Sequence, residues 1–245
     1  MKSLLSLILI LLCFPAAGIF AYFDNYPPYK FKEGPPRHIE AKLLVDSDRA
    51  RFRSKDGRIL VRLKETAGSF NFLLKDGKLV LACLTEDKLP LPSSVYQADL
   101  DANGIKDFII FYNYRGDGLT SQKDRVDIFL KKKGGLYQKI SFDTFSAGLE
   151  DFVDLDRDGK YEVIITGFYS GNKHNYFTYN IYKLKDYRLL NADAQFKNFP
   201  KFVWITYNRN DKDTTHLTRE ERLSHTEKKN NAIQYEEVGG NSSSN

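Results

Sequence analysis

The chain has 245 residues, of which 42% are hydrophobic and 28% are charged, and its formal net charge is +5. This composition excludes an intrinsically disordered chain and supplies enough apolar side chains for one or two globular domains. The basic excess is small beside 32 acidic residues, so the charge does not indicate a nucleic-acid-binding protein.

Residues 1–21 have the pattern of a secretory signal peptide. Lys2 precedes an apolar run over residues 4–14, and Pro15 and small residues then lead to a candidate cleavage site at residues 19–21. The run is short for a membrane span, which needs about 20 apolar residues. The pattern predicts a secreted or periplasmic protein, with membrane association only if the segment stays uncleaved as an anchor.

Three further regions follow along the chain. Residues 22–37 contain four of the eight prolines and are predicted to be a Pro-rich linker. Residues 38–207 are a series of short β-branched and aromatic runs, which predict one β domain. Residues 208–245 are polar and are predicted to be a disordered tail; a short helix over residues 218–229 is the alternative, with a thin apolar face.

Several pairs of runs have the spacing of β-hairpins. Residues 70–74 and 79–84 flank the turn sequence Lys-Asp-Gly-Lys, and residues 126–131 and 136–142 flank a turn with two glycines. Residues 176–184 alternate as a strand does, and residues 187–190 continue after a short turn. These pairs predict antiparallel sheets.

A nine-residue loop occurs twice in the domain, at residues 99–107 (the first loop) and 55 residues later at residues 154–162 (the second loop). Both have glycine at position 6 and an oxygen-bearing side chain at positions 1, 3, 5 and 9. A hard cation such as Ca²⁺ takes six to eight oxygen ligands, and the carbonyl at position 7 can add another. The predicted ligands are Asp99, Asp101, Asn103, Ile105 and Asp107 in the first loop, and Asp154, Asp156, Asp158, Lys160 and Glu162 in the second.

These loops are not EF-hands. An EF-hand loop closes with a glutamate at position 12, where this chain has Ile110 and Ile165. Each loop also leads into a β-branched and aromatic run, which predicts a strand and not a helix. The unit is therefore a metal loop that feeds a strand.

The pattern D-x-D-x-[DN]-G-x-x-[DE] before an apolar strand resembles the FG-GAP/VCBS repeat, the calcium-loop repeat of integrin-α-type β-propellers. The resemblance covers residues 93–115 and 148–170. It implies two calcium sites at the loop positions named above, of which we expect the second to bind more tightly because it has more carboxylates. The alternative is two solvated acidic turns without a metal.

The repeat length sets the number of units. At 55 residues a unit, residues 38–207 hold about three, whereas a closed propeller needs at least four blades. The predicted fold is therefore all-β, an incomplete or small β-propeller-like domain of about three blade-like units.

No catalytic motif stands out. The chain has neither Gly-x-Ser-x-Gly nor His-Glu-x-x-His, and its best acidic clusters are assigned to metal. We therefore predict a binding module with structural calcium and a protein or glycan partner. A secreted hydrolase with an unrecognised carboxylate pair is one alternative, and a second is suggested by resemblance to the bacterial calcium-binding lysozyme inhibitors. Residues 169–177 mix aromatic and polar groups and suit either partner recognition or core packing.

Overall fold

The structure is a computed structural model, which describes residues 37–43, 45–46, 51–53, 59–66, 69–76, 79–85, 92–114, 123–145, 147–171, 174–197, 199, 201–204 and 217–238. The predicted signal peptide and residues 22–36 of the predicted linker lie outside these residues.

The described part of the chain is mostly β-structure. Its strands are β1 (Arg37–His38), β2 (Lys42–Leu43), β3 (Val45–Asp46), β4 (Arg51–Arg53), β5 (Ile59–Thr66), β6 (Ser69–Asp76), β7 (Leu79–Thr85), β8 (Pro92–Ala98), β9 (Asp107–Tyr114), β10 (Lys123–Lys131), β11 (Tyr137–Thr144), β12 (Phe152–Asp154), β13 (Glu162–Gly171), β14 (His174–Lys185), β15 (Arg188–Asn191), β16 (Phe202–Trp204) and β17 (Gln234–Val238). A 3-10 turn at Leu149–Asp151 precedes β12, and one α-helix, α1 (Arg219–Asn231), precedes β17.

The strands form three antiparallel sheets. Sheet I has the order β1-β12-β13-β14-β15, with β16 also paired to β14. Sheet II has the order β17-β11-β10-β9-β8-β2, and sheet III the order β3-β4-β5-β6-β7. Each sheet therefore contains four strands that are consecutive in sequence and adjacent in space.

One short segment adds a strand to all three sheets. β1 pairs with β12 of sheet I, β2 with β8 of sheet II and β3 with β4 of sheet III. The first strand of each four-strand series thus receives its edge partner from residues 37–46, part of which the sequence analysis had assigned to the linker.

The predicted hairpins are confirmed. β6 pairs with β7, β10 with β11, and β14 with β15, each in antiparallel register. The β-branched and aromatic runs form these strands because branched and flat side chains pack well on a pleated, half-buried surface.

Sheets I and II share the main hydrophobic core. Ile109 and Phe111 of β9 belong to the same buried cluster as Phe152 of β12 and Val163 of β13. The rings of Phe111 and Phe152 meet edge to face with centroids 6.1 Å apart. Because the strands that flank the two loops carry these side chains, core packing fixes both loops relative to one another.

The prediction of a disordered tail is wrong for residues 217–238. α1 begins at the N-cap Thr218, whose hydroxyl accepts a hydrogen bond from the N–H of Glu221, and β17 extends sheet II by pairing with β11. Ile233 and Val238 are buried. The remaining parts of the predicted tail, residues 208–216 and 239–245, lie outside the described residues.

The face by which α1 docks is polar, which explains the error. His225 hydrogen-bonds Thr178 at 3.0 Å, and the Tyr182 hydroxyl donates to the side-chain oxygen of Asn230 at 2.8 Å. Because the helix packs through polar side chains, its sequence has no regularly spaced apolar residues to indicate a packed helix.

Candidate metal centre

Each of the two loops connects two neighbouring strands of a sheet, β8 and β9 for the first loop and β12 and β13 for the second. The strand pairs close the two loops in the same register, because Ala98 pairs with Asp107 and Val153 pairs with Glu162. Position 9 of each loop is therefore held at the base of the loop by the antiparallel ladder.

The two loops have the same backbone conformation. The φ angle is positive at position 4, with 57° at Ala102 and 60° at Arg157, and at position 6, with 80° at Gly104 and 86° at Gly159. L-residues rarely adopt such angles, whereas glycine adopts them freely. Glycine at position 6 therefore allows the tight turn of each loop.

The same three hydrogen bonds hold both loops. The N–H of position 6 donates to the carboxylate of position 1, the N–H of position 7 to the side-chain oxygen of position 5, and the N–H of position 2 to the carboxylate of position 9. In the first loop the donor–acceptor distances are 2.9 Å from Gly104 to Asp99, 2.6 Å from Ile105 to Asn103 and 3.0 Å from Leu100 to Asp107. In the second loop they are 3.2 Å from Gly159 to Asp154, 2.8 Å from Lys160 to Asp158 and 2.7 Å from Leu155 to Glu162. The longer arm of Glu162 thus reaches the same donor as the shorter arm of Asp107.

Positions 1, 3 and 9 converge in each loop. Each of these carboxylates places an oxygen within 4.8 Å of the others; the two groups are Asp99, Asp101 and Asp107, and Asp154, Asp156 and Glu162. The position 5 side chains of Asn103 and Asp158 are exposed and accept the turn hydrogen bond described above. At position 7, Ile105 and Lys160 contribute their N–H groups to this turn, and the contribution of their carbonyls to a metal site stays a prediction.

The first loop holds its deepest carboxylate in place with backbone donors. Asp107 is 0% exposed, and its second oxygen accepts a 2.9 Å hydrogen bond from the N–H of Lys131 on β10. Burial raises the pKa of Asp107 to about 7 against the opposing effect of its hydrogen bonds, and the charges of Asp101 and Asp99 act in the same direction as burial. A cation at this point would favour the ionised carboxylate.

The second loop keeps three carboxylate oxygens that accept no hydrogen bond from the described residues. Asp154 Oδ1, Asp156 Oδ1 and Glu162 Oε1 are buried and have no hydrogen-bond partner among the described residues. A buried carboxylate oxygen without a donor costs free energy unless a cation or another donor is present. These oxygens, all hard donors that converge on one point, are the ligand chemistry that Ca²⁺ requires, so the residues of the second loop fit such an ion.

Lys183 of β14 supplies a positive charge to the second loop. It is the cross-strand neighbour of Glu162, and its Nζ lies 2.5 Å from Asp156, 3.3 Å from Asp158 and 3.4 Å from Glu162 Oε1. Burial by itself lowers the pKa of Lys183, but the hydrogen bond to Asp156 and the surrounding carboxylates outweigh burial and raise it. The ammonium is therefore a fixed counter-charge to this cluster.

Glu162 remains hard to ionise in spite of this lysine. Burial raises its pKa to about 7, and the charges of Asp156 and Asp158 add to the effect, whereas the hydrogen bond from Leu155 and the charge of Lys183 oppose it. The single ammonium thus does not fully compensate the four acidic groups.

The two loops also contact each other. The N–H of Tyr161, at position 8 of the second loop, donates a 3.3 Å hydrogen bond to the carbonyl of Leu100, at position 2 of the first. The two acidic clusters therefore belong to one continuous region where sheets I and II meet.

Sequence reasoning missed Lys183. It lies 21 residues beyond Glu162, and only the pairing of β13 with β14 brings it to the loop. The alternation along residues 176–184 was recognised, but the register that places Lys183 opposite Glu162 is not visible in the alternation.

The aromatic residues between 169 and 177 pack into the domain. Tyr176 is fully buried, and Tyr169 makes ring contacts with Tyr176, Phe202 and His225. Of the two interpretations of this segment, the structure supports core packing for these two tyrosines.

No family model, curated protein or solved structure matches the chain. The resemblance to FG-GAP/VCBS repeats thus rests on the two loops themselves. Within the residues that the structure describes, no helix has both the length and the apolar character needed to cross a membrane.

Proposed function

We propose that each loop binds one Ca²⁺ ion and that the two ions stabilise the junction of sheets I and II. The observation that carries the proposal is the set of three buried carboxylate oxygens in the second loop that accept no hydrogen bond from the described residues, on a backbone that the first loop repeats. Bound calcium would supply positive charge and oxygen coordination at the point where the carboxylates converge.

The donor set favours calcium over other metals. Positions 1, 3 and 9 offer only carboxylate oxygens, and position 5 adds the amide oxygen of Asn103 or the carboxylate of Asp158. Zinc sites in proteins use sulfur and nitrogen ligands for the most part, and Mg²⁺ demands a near-ideal octahedron. Acidic loops whose side chain at position 9 is aspartate in one and glutamate in the other suit the adaptable coordination of Ca²⁺.

Calorimetric titration of the full chain with CaCl₂, after removal of metal with EGTA, tests the proposal. We expect two binding events, and a rise in unfolding free energy of about 2.7 kcal/mol for each site when free calcium is 100 times its Kd. Glu162→Gln should remove one event and Asp107→Asn the other, while Asp186→Asn, an exposed acid in the turn after β14, should keep both.

Each possible result decides the question. If wild-type protein gives no heat and its melting temperature is the same in calcium and in EGTA, the loops are solvated acidic turns and the proposal fails. If magnesium at equal concentration stabilises the protein as much as calcium does, the assignment of calcium fails while a divalent site stands.

We further propose that the chain is an FG-GAP/VCBS-like binding module that acts outside the cytoplasm. Three features support this: the signal-like pattern of residues 1–21, the loops, and the four consecutive strands within each sheet, which would serve as blade-like units. In the two six-stranded sheets the metal loop joins the first and second strands of that series. The partner would be a protein or a glycan.

Secretion and binding need separate tests. The first is cell fractionation of the full chain: recovery in the cytoplasm at full length would contradict export. The second is capture from an extracellular extract and on a glycan array, each in calcium and in EGTA. A partner retained only in calcium supports a module built on the ions, and the absence of any calcium-dependent partner contradicts it.

A further inference from the structure

A cavity of about 820 Å³ lies between α1 and strands β11 and β13, and none of the predicted metal ligands lines it. Its apolar wall includes Phe142 and Ile165 from the strands, Phe145 just after β11, and Ile233 after the helix. This volume is within the range of small-molecule sites, which are apolar for the most part and carry a few polar groups.

The polar group that distinguishes the cavity is Lys229 of α1. Its ammonium lies across Gly167 of β13, since a Cβ added at that glycine would come within 2.8 Å of Lys229 Cε and Nζ. Lys229 is partly buried, and its ammonium makes no hydrogen bond or ion pair among the described residues. Glycine at position 167 leaves the space that this side chain occupies.

The charges around Lys229 do not compensate its ammonium. Lys123 and Lys228 also line the cavity. Burial lowers the pKa of Lys229, the carboxylate of Asp143 opposes this, and the two other lysines add to the lowering. An ammonium that is withdrawn from water without an ion-pair partner is costly, and a bound anion would remove that cost.

The cavity also carries acids, which limit the kind of anion that fits. Glu220 and Glu221 line it from the first turn of α1, and Asp143 lines it from β11. A polyanion that extended beyond the lysines would be repelled by these carboxylates. A ligand with one anionic group and an apolar body would contact the Lys229 ammonium at one end and the phenylalanine side chains at the other.

We propose that this cavity binds an amphipathic anion, a ligand with an apolar body and a single carboxylate or phosphate head, and that Lys229 holds the head. No residue of the first or second loop lines the cavity, so this proposal does not rest on calcium binding.

Fluorescence titration of the full chain with 8-anilinonaphthalene-1-sulfonate tests the proposal, with N-phenyl-1-naphthylamine as the probe that has the same aromatic body and no anionic group. We expect saturable 1:1 binding of the sulfonate. Lys229→Met should weaken sulfonate binding at least tenfold and change binding of the neutral probe less than threefold. Lys133→Met, at an exposed turn lysine that does not line the cavity, should leave both unchanged.

A second variant changes Gly167, the residue of β13 that lies against the Lys229 side chain. Gly167→Ala places a methyl group where the Lys229 ammonium lies, and it should also weaken sulfonate binding. Because the new methyl group would also come within 2.7 Å of Thr178 Oγ1, cooperative thermal unfolding of each variant is measured first, so that probe binding to a loosened core is recognised. If Gly167→Ala does not fold cooperatively, Lys229→Met alone decides.

Competition identifies the head group. Decanoate and monodecyl phosphate should displace the sulfonate probe, and decanol should do so at least tenfold less well. Displacement by decanoate alone assigns a carboxylate head, and displacement by the phosphate alone assigns a phosphate head. If the wild-type chain does not bind the sulfonate saturably, if Lys229→Met binds it as tightly as wild type, or if decanol competes equally, the proposal is overturned.

Discussion

Lys183 and Glu162 face each other across β13 and β14, with Nζ 3.4 Å from Oε1. The same ammonium contacts Asp156 and Asp158, so one lysine reaches three of the four acidic side chains that were predicted to hold calcium in the second loop. A tethered cation at this place would stabilise the loop when no ion is bound and would oppose an ion that enters.

The first prediction concerns this opposition. Lys183→Met should raise the calcium affinity of the second loop about fivefold to tenfold, because removal of one positive charge a few ångströms away contributes about 1 kcal/mol at a partly exposed site. In EGTA the same variant should lower the unfolding free energy by about 1 kcal/mol. Calorimetric titration and urea unfolding measure the two effects.

Lys185→Met is the matched control, because Lys185 is on the same strand and is exposed. It should change neither quantity. Unchanged or weaker calcium binding by Lys183→Met would show that the lysine does not oppose the ion.

The second prediction follows from the hydrogen bond between Tyr161 and Leu100, which joins the two loops. Neighbouring sites that share structure give non-additive effects on stability, typically by 0.5 to 3 kcal/mol. Asp101→Asn and Glu162→Gln should each lower the unfolding free energy in calcium. We expect the loss in the double variant to be about 0.5 to 1 kcal/mol smaller than the sum of the two single losses.

The control cycle combines Asp101→Asn with Asp186→Asn, at an exposed acid far along the chain from the first loop. The losses of unfolding free energy from these two substitutions should add within the error of urea unfolding. If the losses from Asp101→Asn and Glu162→Gln also add, the two loops bind calcium independently in spite of their contact.

The third prediction concerns the C-terminal segment that the sequence had indicated as disordered. Ile233 lies between α1 and β17 and belongs to the core shared by sheets I and II. Ile233→Ala should lower the unfolding free energy by about 2 to 4 kcal/mol, as expected for truncation of a buried aliphatic side chain. Thermal and urea unfolding measure this loss.

Leu223→Ala is the control, because Leu223 is on α1 and is 59% exposed. It should change stability by less than about 0.5 kcal/mol. Equal and small effects of both substitutions would contradict the docking of this segment on the domain.

The fourth prediction concerns pH. His225 is buried between the Tyr169 and Phe202 rings, and burial lowers its pKa to about 4, with the charges of Lys229 and Lys228 acting in the same direction. The unfolded chain therefore binds this proton more readily, so stability falls as pH falls from about 6.5 towards 4 and is unaffected by His225 above that range. The ring is not wholly withdrawn from solvent, so we expect a loss of roughly 1 to 2 kcal/mol.

Comparison with His225→Gln isolates this group, because the acidic residues titrate in both proteins. The variant is expected to be less stable than wild type at pH 7.5, and this gap should narrow by roughly 1 to 2 kcal/mol at pH 4.5. Urea unfolding at both pH values measures the gap. A gap that stays constant would show that the imidazole is not kept neutral by the fold.

Local features of the two loops could be predicted from sequence. The position of glycine, the spacing of the oxygen-bearing side chains and the strand after each loop depend on residues within a few positions of one another. Gly104 and Gly159 adopt the positive φ that glycine allows, and the hairpins of sheets II and III have the predicted pairing.

Only the tertiary structure decided which distant groups meet. The register of β13 and β14 places Lys183 at the second loop, and β17 pairs with β11. The helix α1 packs on the domain through polar contacts, which give its sequence no apolar periodicity. The sequence by itself determined the two acidic turns and the β character of the chain, because these depend on short-range geometry. Three features depend on contacts between residues that are tens of positions apart: the lysine counter-charge, the ordered C-terminal segment and the cavity at Lys229. No local sequence pattern indicates which of these distant residues come into contact.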